Sequence, residues 1–165
     1  MKGSSGVDVG EVKKFGENLK LVKSTSGFIE LRVKREGQED EKLQTGWFNF
    51  YIESWRTVVE AYFGEDTDAR VPAVMLLANH KLQKKTYEIK NPFDDDWEVC
   101  AMFGTGRPNG GISGDAFGKG ILKVHGIVDN DVKQRIDGTF SFNYVDRDGQ
   151  VVKVEADDFW AEFEY

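Results

Sequence analysis

Short runs in which apolar and polar residues alternate recur along most of the chain. That is the period of a pleated strand with one face buried. In residues 27–35, Ile29, Leu31 and Val33 fall on one side and Glu30, Arg32 and Lys34 on the other. Residues 45–53 are apolar on both sides, with Trp47 and Tyr51 opposing Phe48, Phe50 and Ile52. A run like that belongs to a central strand or one facing a second layer. The charged stretch 36–42 separates these two runs and predicts an antiparallel hairpin between them. Further strands are expected at 71–78, 85–89 and 97–103, with a turn at Asn91 and Pro92.

The last third is the clearest. Leu122, Val124 and Val128 alternate with Lys123 and His125. Ile136, Gly138, Phe140, Phe142 and Tyr144 alternate with Asp137, Thr139, Ser141 and Asn143. Asp146, Arg147, Asp148 and Gly149 supply a hairpin turn. Phe159, Ala161, Phe163 and Tyr165 then line one face of a final strand against Trp160, Glu162 and Glu164.

Two stretches break the pattern. In residues 54–64, Trp55, Val58, Val59 and Tyr62 lie at helical spacing between a Ser54 cap and Gly64, while the β-branched and aromatic content argues for strand. Residues 104–120 hold seven of the 18 glycines and show no periodic face, so they predict a long mobile loop. Residues 1–17 are expected to be a loose N-terminal segment ahead of one all-β domain at 18–165. The expected architecture is an antiparallel β-sandwich or a closed β-barrel of eight to ten strands, with at most one short helix.

Composition supports this reading. The chain has 17 Val, 7 Ile, 12 Phe, 5 Tyr and 4 Trp, but only 8 Leu and 8 Ala, a bias toward strands. At 165 residues it fits one domain. The net charge of −7 and the lack of a basic stripe argue against nucleic acid and anionic membrane surfaces as partners. No apolar run approaches the roughly 20 residues of a membrane-spanning helix. The N-terminus shows no apolar leader segment, so a cytoplasmic protein is the default expectation and a mature exported one the alternative. The single Cys100 lies in an apolar run and reads as a buried, inert thiol.

Candidate chemistry is sparse. Gly104, Thr105, Gly106, Arg107, Pro108, Asn109 and Gly110 follow a strand as a phosphate-binding turn does, but no helix pattern follows to offer its amides. The plainer reading is a surface loop, with Arg107, Asn109 and Asp115 available to bind a partner. The acidic set at 146–149 lacks the later Glu that a calcium loop needs and reads as a hairpin turn; Asp94, Asp95 and Asp96 are the better calcium or lectin-like candidate, and no metal or cofactor is expected. His80 and His125 have no partner set for zinc or for a triad. Trp97, which follows three aspartates, and Trp160, which shares a face with glutamates, are the tryptophans expected at the surface as contact platforms. An extended strand from Trp97 puts that residue about 20 Å from the glycine-rich stretch, at the other end of the domain.

The second half of the chain also resembles small all-β lipoproteins of Bacteroidetes. The residues that carry this are Thr86 and Tyr87, then Gly120, then Gly138, Thr139, Phe140, Ser141 and Phe142, with Phe159 closing; Lys85 stands where that family has Gly. The resemblance implies an all-β fold and brings no activity or functional residue with it.

Three functions follow as expectations. The favoured one is a non-enzymatic binding or interaction protein that presents loops on a β scaffold to a glycan, protein or small-molecule partner. The second is a barrel enclosing an apolar ligand, lined by Trp47, Tyr51 and Phe142. The third is a small hydrolase using paired carboxylates.

Overall fold

The computed structural model describes residues 24–64, 69–107 and 110–165. Two thirds of these residues are strand and none is helical. The strands are β1 (Ser24–Arg35), β2 (Glu41–Gln44), β3 (Trp47–Glu53), β4 (Arg56–Tyr62), β5 (Val71–Ala78), β6 (Thr86–Ile89), β7 (Val99–Arg107), β8 (Gly111–Ser113), β9 (Lys119–Asp129), β10 (Lys133–Val145) and β11 (Val151–Glu164). They form one strongly curled sheet, a half-barrel, in the order β2-β1-β11-β10-β9-β6-β7-β5-β4-β3, with β8 paired to β7. The all-β fold expected from the alternation is therefore the fold adopted. The expectation for residues 1–17 lies outside the described residues.

The sheet differs from the expected antiparallel one at a single seam: β6 pairs with β7 in parallel. β7 and β9 are too far apart to bond here, because β6 is inserted between them and pairs antiparallel with β9. Beyond β6 the link from β8 to β9 takes over, and Gly118 N donates to Ala101 O at 2.9 Å.

The predicted hairpin of residues 27–35 with 45–53 does not form. β1 pairs with β2, which lies partly within the stretch read as a turn, and β3 pairs with β4. Thr45 makes the break. Its backbone N and Oγ1 both donate to Ile29 O, and Oγ1 accepts from Ile29 N. The chain then leaves the β1 edge through Gly46, which packs against the Gly64 carbonyl where a Cβ would not fit.

Residues 54–64, ambiguous between helix and strand, form the β3–β4 turn and β4. β4 buries both faces: Val59 and Ala61 point into the core, Val58 and Tyr62 outward. A strand buried on both sides loses its alternation, which is why helical spacing also fitted it. Trp55 sits in the turn and is the most exposed tryptophan, at 61%. The Arg56 guanidinium lies 4.4 Å from its ring. Replacing Trp55 by Phe is expected to remove the largest share of acrylamide-quenchable fluorescence; a variant quenched like the parent would contradict this exposure.

The concave face holds the core, with Ile29, Leu31, Phe50, Leu76, Phe142 and Phe159 among its members. Trp47 and Tyr51 alternate with the buried Phe48, Phe50 and Ile52 of β3; half-buried Tyr51 packs against the core that holds Phe142, and Trp47 is not part of that core. The outward side of the sheet divides in two. Over β1, β9, β10 and β11 it is charged, with Arg32 and Lys34 ion-paired to Glu155. Over β3, β4, β5 and β7 it is apolar.

Candidate functional site

At one end of the half-barrel the strand tips leave a cleft of about 420 Å³. Phe103 of β7 and Pro72 of β5 lie in its wall with Tyr144 of β10. The rim carries Arg35 at the tip of β1, Glu41 of β2, Asp115 after β8 and Arg147 in the β10–β11 turn. These positions converge because β10, β11 and β1 are neighbours in register: Val145 faces Val151, and Val152 faces Arg35. The β7–β8 hairpin closes the other side. Gly104 allows it, since a Cβ there would strike the Ser113 carbonyl.

The polar groups are tied in pairs. Arg35 Nη1 lies 3.2 Å from Glu41 Oε1. Arg147 donates to Asp115 from Nη2 at 2.9 Å, from Nε at 3.1 Å and from its backbone N at 3.0 Å. Arg70 reaches the same corner, donating to Ser113 Oγ at 2.8 Å and to the Thr105 carbonyl. Hydrogen bonds from Arg147 hold the Asp115 carboxyl below the usual carboxylate range. Burial pushes the Tyr144 hydroxyl up, opposed by the Arg35 guanidinium and reinforced by Asp115 and Asp146. At neutral pH the cleft therefore presents two guanidinium–carboxylate pairs and a protonated phenol. Among the lining residues the charges balance, and donors and acceptors stand beside an aromatic wall.

The Asp115–Arg147 pair gives a pH expectation. A carboxyl with a depressed folded pKa contributes stability above its unfolded pKa, near 3.9, and that contribution is lost as pH falls through the lower folded value. Asp115→Asn should flatten the acid limb of the stability curve below about pH 4. An acid limb identical to the parent's would show that the pair contributes nothing there.

Of the sequence candidates, the structure brings only Asp115 to this cleft. Arg107 ends β7 opposite Gly111 and is exposed, outside the cleft lining. Asn109 lies outside the described residues. Trp97 is half-buried before β7, its carbonyl accepting from Asn79 Nδ2 at 2.7 Å. Trp160 is half-buried on the outer face of β11, with the Arg135 guanidinium 4.7 Å from its ring. The glycine-rich stretch is largely the β7–β8 hairpin rather than an open loop. Its far end also meets the neighbourhood of the acidic run: Phe117 packs edge-on to Phe93, ring centroids 6.3 Å apart.

Arg35, Tyr144 and Arg147 were missed by sequence reasoning. Their one visible sign is position: each closes or follows an alternating run, where strand tips display side chains. A larger hollow of about 570 Å³ lies over β6 and β9, lined by Lys90, Asp94, Lys119 and Ile121. Lys90 there is drawn away to Asp96 at 2.9 Å. Among the described residues no group of three His, Cys, Asp or Glu side chains is placed to hold a metal, and no helix is long and apolar enough to cross a membrane. No protein-family profile, curated protein or solved structure matches the chain.

Proposed function

We propose that the protein is a non-enzymatic binding protein that takes a small, neutral, polyhydroxylated ligand, such as a mono- or disaccharide, in the cleft at the tip of the half-barrel. The observation that carries this is the convergence of Arg35–Glu41, Asp115–Arg147 and the Tyr144 hydroxyl on one cleft of about 420 Å³. That volume lies in the ordinary range of ligand sites. A charge-balanced rim rich in fixed donors and acceptors matches hydroxyls better than a net charge. Binding is favoured over glycoside hydrolysis by the state of the carboxylates. A general acid needs a raised pKa, and Asp115 has a lowered one.

The test is titration of the isotope-labelled protein with a panel of neutral mono- and disaccharides, read as amide shift changes. Shifts should cluster at Gly104, Ser113, Asp115 and Arg147. Arg147→Ala should weaken binding roughly tenfold or more, the usual loss for a hydrogen bond to a charged group. Shifts centred on Trp55 or Trp160, or none, would refute the assignment.

A further inference from the structure

One corner of the cleft differs from the rest of its rim. Pro72, Thr105 and Ser113 are paired across β5, β7 and β8, so their side chains share one face of the sheet, and all three line the cleft. Phe103, two residues before Thr105 on β7, falls on the same face and lines the cleft too. The corner is therefore two hydroxyls beside an apolar patch. The backbone fixes them: Gly114, next to Ser113, packs against the Phe103 carbonyl, where a Cβ would not fit.

Arg70 sets what the hydroxyls can offer. It lies just before β5 and is not part of the cleft wall. Its Nε donates to Thr105 Oγ1 at 3.2 Å, and its Nη2 donates to Ser113 Oγ at 2.8 Å and to the Thr105 carbonyl. A guanidinium only donates, so each hydroxyl oxygen accepts and keeps its own hydrogen to give. The corner thus presents two donors side by side. The pairs Arg35–Glu41 and Asp115–Arg147 present donors and acceptors together.

The complement of two neighbouring donors is an oxygen that accepts two hydrogen bonds and gives none. The complement of Pro72 and Phe103 is a small apolar group next to that oxygen. An acetyl group has both. A sugar hydroxyl brings a hydrogen of its own, and a carboxylate brings no apolar group.

We infer that the ligand of the cleft is an N-acetylated sugar, its acetyl oxygen accepting from Ser113 Oγ and Thr105 Oγ1 and its methyl group lying on Pro72 and Phe103. Arg70 is a positioning residue, since it touches the hydroxyls and not the ligand. This inference rests on the sugar-binding reading of the cleft and narrows the class of sugar.

The test titrates N-acetylglucosamine, N-acetylgalactosamine, glucose, galactose and glucuronic acid into the isotope-labelled protein. At least one N-acetyl sugar should bind roughly tenfold or more tighter than its parent hexose, the gain expected from two hydrogen bonds and a buried methyl group. The amide shifts it adds should fall at Thr105 and Ser113. Ser113→Ala with Thr105→Val should erase the difference by weakening the N-acetyl sugar toward its parent. Arg70→Met keeps the stem and removes the donors, so it should shrink the same ratio; a merely structural role would weaken both sugars alike. Equal affinity for an N-acetyl sugar and its parent, with shifts still at Asp115 and Arg147, overturns this inference and leaves the cleft reading standing. Tighter binding of glucuronic acid does the same, as does a preference that survives in the Ser113→Ala, Thr105→Val variant. Shifts away from the cleft, or no binding of any of the five, overturn the cleft reading and this inference with it.

Discussion

Gly138→Ala is expected to unfold the protein or lower its melting temperature by at least roughly 10 °C. Gly138 lies where β10 slips register against both neighbours. Toward β9 the pairing jumps between Asp137–Gly126 and Gly138–Val124; toward β11 it jumps between Gly138–Phe159 and Phe140–Ala156. The bulges tighten the coil of the sheet at its centre. A Cβ on Gly138 would collide with the Lys123 carbonyl, a backbone atom that can move only by breaking the β9–β10 ladder. Opening that ladder costs more than about 4 kcal/mol, against a typical total of 5–15. Gly37→Ala is the control. Gly37 has a φ of 78° but open space around it, so only the left-handed backbone penalty of about 1 kcal/mol applies. Thermal unfolding followed by circular dichroism separates the two. Equal melting temperatures for both variants would mean that the β10 pinch is soft.

The glycines explain where sequence reading succeeded and where it failed. Alternation was legible in β10 and β11 because one face of each is core throughout, and the turn at Asp146 to Gly149 forms as predicted, with Gly149 at a φ of 82°. The glycines of 104–120 were read as a loop. Several of them are instead places where backbones approach closely. Gly104 and Gly106 sit against β8, and Gly120 against the Ser141 carbonyl. Glycine content alone cannot separate those cases. The parallel seam had no signal at all, since it depends on β6 being four residues long and inserted between β7 and β9. The cleft was legible only at Asp115. Its partner Arg147 is 32 residues away in a hairpin read solely as a turn, and Arg35 ends a strand whose pairing was misassigned to β3. Long-range convergence of strand tips leaves no local mark in a sequence.

Gln134→Leu should destabilise the protein by about 3 kcal/mol and make it prone to self-association. Gln134 is one of two buried polar residues in the described chain, and its amide acts as a missing strand. Its Oε1 accepts from Ile52 N at 2.8 Å and its Nε2 donates to Ile52 O at 2.7 Å, so the end of β3 is held against β10 by one side chain. The same Nε2 donates to Asp129 Oδ1 at 3.1 Å, and Lys81 Nζ lies 2.8 Å from Asp129 Oδ2. Leucine conserves the volume and removes every partner. Each buried backbone group left unpaired costs about 1–3 kcal/mol. At 2–4 °C per kcal/mol for a domain of this size, the melting temperature should fall by roughly 6–12 °C. The freed edge of β3 offers its backbone to other molecules, so light scattering should rise before unfolding.

Gln134→Glu distinguishes the lost hydrogen bonds from a packing defect through a pH dependence that Gln134→Leu should lack. In the parent, Lys81 and then Gln134 hold the Asp129 carboxyl below its usual range, opposed by partial burial. That contribution is present above about pH 4 and lost as pH falls through the depressed folded value. In Gln134→Glu, burial and the Asp129 charge raise the new carboxyl's folded pKa. Its protonated form can still donate, so the variant should be most stable below the unfolded pKa of about 4.3 and lose stability as pH rises through the raised one. Urea unfolding at about pH 5 and about pH 8 reads the difference. Gln134→Glu should lie closer to the parent at the lower pH, and Gln134→Leu should keep nearly the same deficit at both. If the Glu variant instead tracks the Leu variant at both pH values, the amide at 134 is packing rather than a clamp on Ile52.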